Sequence, residues 1–123
     1  MILNFKTQIN GNPTNFKAKI LSGQKIHTIR KKGRWKVGDT IHFSTGARSS
    51  DYECFKVGTV VSVQNIQIER GFLTQILLDG EYLDDNLLIP FAKNDGFDVF
   101  LDFEKWFKDG GEFDLIHWPD KKY

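Results

Sequence analysis

From Ile26 onward the chain is cut into short β-branched and aromatic runs, each closed by Gly, Asp or Ser, and this punctuation restricts the fold more than any other feature. The runs at 25–31, Thr40–Thr45 and 55–63, the last continuing into 65–69, carry the residue types that suit a pleated, half-buried surface. A further run at 72–78 leads into Asp79-Gly80, a two-residue hairpin signal, and then into Glu81-Tyr82-Leu83. No strand–helix–strand rhythm separates these runs, so antiparallel pairing is expected. The expected class is α+β: a small curled antiparallel β-barrel with two or three flanking helices.

The helices are placed by spacing and caps. Ile2-Leu3-Asn4-Phe5 reads as a first strand, and the polar stretch QINGNPTN after it as loop. Over 13–23, Phe16, Ile20 and Leu21 fall at i, i+4 and i+5; Thr14 or Asn15 serves as cap and Gly23 as the left-handed stop. Residues 84–93 read as a short helix despite Pro90. Residues 99–108 read as a better one, with Asp98 as cap, Gly110-Gly111 as stop, and Phe103, Trp106 and Phe107 as its apolar stripe. A strand at 113–118 closes the chain before Pro119.

With 123 residues, 40% of them hydrophobic, the chain supports one domain, 1–123, with its own core. The lone Cys54 has no partner for an intramolecular disulfide, and the start MILNFKTQIN has neither the basic opening nor the apolar run of a signal peptide. No stretch reaches the roughly 18 apolar residues that span a bilayer. A cytoplasmic protein with no membrane contact is expected. Net charge is +1, but the charges are sorted: residues 1–38 carry +9 with no acid, and residues 79–114 hold eleven acids against three lysines. Either two solvated faces attract each other and dock the ends of the chain, or a basic face is kept for phosphates.

The segment Gly23-Gln24-Lys25-Ile26-His27-Thr28-Ile29-Arg30 concentrates the chemistry. On a strand starting near Ile26, Thr28 and Arg30 share one face and His27 and Ile29 the other. Strict alternation would set Lys25 beside His27, so Lys25 joins Thr28 only from an irregular turn after Gly23. If the three converge, Arg30 can grip a carbonyl edge, carboxylate or phosphate, and a desolvated Lys25 can lose its proton near neutral pH. Thr28, whose hydroxyl is a weak nucleophile alone, would then have its base. The alternative is an amphipathic strand with a solvated Lys/Arg face. His27, His42 and His117 lack ligand spacing, so no metal or other cofactor is expected.

The order Gly23-x-Lys25-x-x-Thr28-x-Arg30, placed after a first helix and followed by Trp35-Lys36-Val37-Gly38-Asp39, resembles the signature of ASCH domains, which are PUA-like. Asp95-Gly96-Phe97 and the strand at 113–118 extend the resemblance over nearly the whole chain. Some small bacterial ASCH proteins are amidohydrolases that remove the acetyl group from N4-acetylcytidine with a lysine, a threonine and a glutamate, an arginine lying nearby. By position, the resemblance implies Lys25, Thr28 and Asp95 as catalytic residues and Arg30 as the residue that holds the base. Asp95 departs from the family's glutamate by one methylene, and a misplacement of about 1 Å matters in catalysis. His27 lies outside the motif and reads as packed or hydrogen-bonded.

Two classes of function follow: a metal-independent hydrolase of an N4-acylated cytidine-like amide, or a non-catalytic RNA-binding or interaction module. The first needs Lys25, Thr28 and Asp95 in one deep pocket. The second needs a basic groove along 17–36, with Arg30, Lys31 and Lys32 on phosphates and Trp35, expected to be exposed in a hairpin loop, stacking on a base. The loop at 46–53 suits either. The expected partner in both is a nucleoside or RNA.

Overall fold

The computed structural model describes residues 1–9, 11–120 and 123. Strands β1 (Ile2–Asn4), β2 (Gln8–Ile9) and β3 (Asn12–Pro13) precede helix α1 (Phe16–Ser22). Then come β4 (His27–Arg30), β5 (Thr40–Thr45), β6 (Glu53–Thr59), β7 (Ser62–Arg70), β8 (Thr74–Leu78) and β9 (Glu81–Tyr82). A 3-10 turn at Asp85–Leu87 enters α2 (Leu88–Asn94), and α3 (Phe100–Trp106) is followed by β10 (Gly111–His117). The class is α+β, as expected.

The ladders form two main sheets and, among the described residues, do not close into a barrel. One has the order β4-β10-β7-β8-β9 and is antiparallel throughout; the other is β1-β5-β6, with β1 parallel to β5. The continuous apolar run at 55–69 is divided between them, because the backbone changes partners at Val60 and Val61. Val60 exchanges hydrogen bonds with Gly38 and Asp39, whereas the Val61 N–H donates to the His117 carbonyl at 2.8 Å. The hairpin at Asp79-Gly80 has both residues at positive φ, 51° and 85°, the geometry that matches the twist of the flanking strands.

The apolar faces of both sheets and the three helices share one core. Ile41 and Phe43 from β5, Ile66 from β7, Ile76 from β8, Leu115 and Ile116 from β10, and Phe103 from α3 have no exposed surface. Truncating such a phenylalanine to alanine costs about 3–5 kcal/mol. Three exposed or half-exposed ion pairs, Lys17–Glu53, Lys19–Asp98 and Lys32–Glu112, tie basic residues of the first third to acids further along. The sorted charges thus serve in part to dock the chain on itself.

Several local expectations are corrected. Gln8–Ile9 and Asn12–Pro13, read as loop, pair as the short antiparallel strands β2 and β3. Asp98 does not cap a helix: α3 begins after Val99, and the Asp98 carboxylate accepts from Lys19 Nζ at 3.2 Å. Trp35 is 8% exposed and belongs to the core rather than to an exposed loop, since an indole leaves water wherever apolar neighbours are in reach. The strand expected at 113–118 is present as β10, and it lies inside the sheet, between β4 and β7.

Candidate active site

Helix α1 stops at Gly23, whose φ of 86° is open to glycine and whose N–H donates to the Ile20 carbonyl. The next three residues belong to no strand. Lys25 N–H donates to the Lys19 carbonyl at 3.0 Å and Ile26 N–H to the Asn94 carbonyl at 2.9 Å, so the segment is tied to the ends of α1 and α2. This detour releases Lys25 from the alternation of β4, the geometric condition that the sequence imposed.

Lys25 is 2% exposed, with its ammonium hydrogen-bonded to two backbone carbonyls and ion-paired with a carboxylate. Its Nζ donates to the His27 carbonyl at 2.9 Å and to the Asp95 carbonyl, and stands 3.5 Å from Asp95 Oδ1. The rings of Phe16 and Phe5 lie 4.9 and 5.7 Å away. Asp95 arrives at the end of α2, its N–H donating to the Phe91 carbonyl at 3.0 Å. The next residue must be glycine: Gly96 has a φ of 99°, and a Cβ there would stand 2.9 Å from Lys25 Cδ and from the Phe16 ring. Asp95-Gly96-Phe97 is therefore the seat on which the lysine stem rests.

From β4, Thr28 and Arg30 line the pocket that Lys25 and Asp95 also line. Arg30 donates from Nη2 to the Asn4 carbonyl at 2.8 Å and lies 5.0 Å from the Phe5 ring; its Nε is buried with no hydrogen-bond partner among the described residues. His27 points the other way, with its ring 4.9 Å from Phe91 and 5.4 Å from His117. Its Nδ1 nevertheless lies 3.1 Å from Asp95 Oδ1 and its Nε2 2.9 Å from the Tyr123 hydroxyl, so His27 is a packed and hydrogen-bonded side chain.

The pocket measures about 100 Å³ and adjoins a cleft of about 600 Å³; both are walled by Lys6, Phe16, Phe97 and Trp106. Its electrostatics follow from burial. Desolvation lowers the Lys25 ammonium pKa to about 8, against the pull of Asp95 and with help from the Arg30 charge. Desolvation likewise lowers Arg30 and His27, with Asp95 opposing in each case.

Of the residues expected at the site, Lys25, Thr28, Asp95 and Arg30 come together. Lys31 and Lys32 do not line the pocket; both are exposed, and Lys32 Nζ is held by Glu112 at 2.9 Å. Trp35 is in the core, and the tryptophan at the pocket is Trp106, which the sequence marked only as part of a helical stripe. Lys6 at the pocket and Tyr123 behind His27 carry no local sequence signal; long-range folding alone brings them here. Among the described residues no three His, Cys, Asp or Glu side chains gather as a metal site would need, and no helix is long and apolar enough to cross a membrane. Comparison with protein-family models, with curated proteins and with solved structures finds no match to this chain.

Proposed function

We propose that the chain is an ASCH-type, PUA-like domain whose pocket recognises a nucleoside or RNA base and hydrolyses an N4-acylated cytidine-like amide. The observation that carries this reading is the shared pocket of Lys25, Thr28, Arg30 and Asp95, with a lysine whose pKa is drawn down to about 8. At pH 7 about a tenth of such an amine is neutral and able to act as a base.

In the proposed cycle, neutral Lys25 takes the Thr28 hydroxyl proton as Oγ attacks the acyl carbonyl. The new ammonium returns that proton to the leaving amine as the C–N bond breaks. Water then hydrolyses the acyl-threonine, its proton passing through Lys25. Asp95 orients Lys25, and the spare Nε–H of Arg30 donates to an acceptor on the base. The inner pocket accommodates the amide end, and the adjoining cleft beside Trp106 takes the rest of the nucleoside.

One observation favours the non-catalytic alternative. Lys25 Nζ donates to two backbone carbonyls beside the Asp95 carboxylate, which favours the ammonium, and Asp95 is engaged by His27 and Lys25. In that reading the pocket binds without turning over. Incubation with N4-acetylcytidine and detection of cytidine separates the two: turnover that disappears in Lys25→Ala is expected, and no turnover by the intact chain sinks the hydrolase.

A further inference from the structure

Asp95 brings a carboxylate to the site on a short side chain, and that carboxylate is held from behind by groups outside the motif. Asn94 Nδ2 donates to the Tyr123 hydroxyl at 2.9 Å; the hydroxyl lies 2.9 Å from His27 Nε2; His27 Nδ1 lies 3.1 Å from Asp95 Oδ1. The donor roles are constrained. A carboxylate only accepts, so the proton between His27 and Asp95 sits on Nδ1. A neutral imidazole then offers Nε2 as acceptor, and the Tyr123 hydroxyl, already accepting from Asn94, has its own proton free to donate there.

Tyr123 is fixed independently of its hydroxyl. Its N–H donates to Gln64 Oε1 at 3.0 Å, its carbonyl accepts from Gln64 Nε2 at 2.7 Å, and its ring stands 5.2 Å from Phe91. Gln64 is itself 2% exposed on β7 and anchored to Asp79 Oδ2. Tyr123 as a residue is 37% exposed, so a surface residue reaches a buried acid through one imidazole.

We propose that Asp95 sets His27 in the Nδ1–H tautomer and Tyr123 pins the ring by donating to its Nε2, and that the Tyr123–His27 pair is a positioning device which orients Asp95, and through it Lys25, in place of the reach that a longer acid would have. The proposal rests on the hydrolase reading for its catalytic consequence, but not for the tautomer itself. The groups facing His27 are Asp95 from the end of α2, Lys25 from the preceding turn, His117 from β10 and Tyr123. The lysine ammonium and complete burial both oppose a second proton on the ring, consistent with the depressed His27 pKa.

The test uses the full chain, labelled with ¹⁵N, and long-range proton–nitrogen correlation of the histidine rings. His27 is expected as a neutral Nδ1–H imidazole between pH 6 and 8, and Tyr123→Phe, which keeps the ring packing and removes the hydroxyl, is expected to leave the proton on Nδ1, where Asp95 holds it, and to shift the Nε2 resonance through loss of its hydrogen bond. Turnover of N4-acetylcytidine by Tyr123→Phe should fall about tenfold in kcat with little change in KM, the size of one lost hydrogen bond to an ionised network. His27→Asn, whose amide can donate to Asp95, should retain more kcat than His27→Leu at equal thermal stability. An Nε2–H or doubly protonated His27 in the unaltered chain overturns the proposal, as does a His27 spectrum or a kcat indifferent to Tyr123→Phe. The expected tautomer and the Nε2 shift on Tyr123→Phe in a protein inert toward N4-acetylcytidine would remove the hydrolase and leave the Tyr123–His27–Asp95 chain standing.

Discussion

Two stretches of the same basic segment, a few residues apart, have opposite physical fates. Lys25 and Arg30 are drawn into a pocket floored by phenylalanines, whereas Lys31 and Lys32 stand in water beyond the end of β4. The residue types are alike, but a buried ammonium loses affinity for its proton and a buried guanidinium keeps a donor that water cannot fill. Charge in a sequence thus becomes chemistry only where the fold removes solvent.

The contrast is sharpest at Lys25. Lys25→Met should lower turnover by a hundredfold or more, the usual worth of a general base, and should destabilise the fold by about 3–5 kcal/mol because Asp95 is left buried without its cation. Both are read on one preparation, by cytidine release and by urea denaturation; a fully active or unchanged protein would place Lys25 with the exposed lysines.

Proton release from Lys25 supplies the second test. With a pKa of about 8, kcat/KM should climb about tenfold per pH unit below 8 and level off above it. Stability carries the matching sign: the unfolded chain holds this proton up to 10.5 and the folded one only to about 8. Between those values the unfolded state binds more protons, so this group makes the fold more stable as pH rises across that window. Unfolding midpoints taken from pH 7.5 to 10.5 would show it, and a flat profile of activity below pH 8 would exclude a lysine base.

Arg30→Lys comes next in size. It keeps the charge and removes the planar fork, so ligand affinity should fall about tenfold with a small change in stability, measured by titration with cytidine. The smallest effect belongs to the exposed end: Lys31→Ala and Lys32→Ala together should alter cytidine affinity less than about twofold, because surface pairs of this kind contribute little. A loss as large as that of Arg30→Lys would erase the distinction between the two stretches and revive a groove along residues 17–36.

What the sequence disclosed follows the same division. Gly23, Lys25, Thr28 and Arg30 were legible because they are neighbours in the chain, and the alternation of a strand plus one glycine stop fixes their directions. Asp95 was legible only through its Gly96, which the crowding of Lys25 and Phe16 makes obligatory. Trp35 misled, since a tryptophan inside a basic run looks exposed until one knows which core it reaches. Trp106 and Tyr123 were silent as site residues because their positions depend on how distant elements dock, and no local period encodes that. The break at Val60-Val61 was hidden for the same reason: two adjacent valines look like one strand, and only their partners separate them.

The insertion of β10 between β4 and β7 also has a temporal meaning. β4 finds its ladder partners at Asp114 to His117, more than eighty residues later in the chain, and no earlier strand pairs with it among those described. Such a distant closure is slow compared with the local hairpins of β7, β8 and β9. During synthesis, Thr28 and Arg30 therefore wait on an unpaired ribbon until β10 has emerged. A chain in which β10 has not yet docked holds every residue of the motif and still lacks the ladder that sets Thr28 and Arg30 in place, so the shape of a local motif depends on a strand far along the chain.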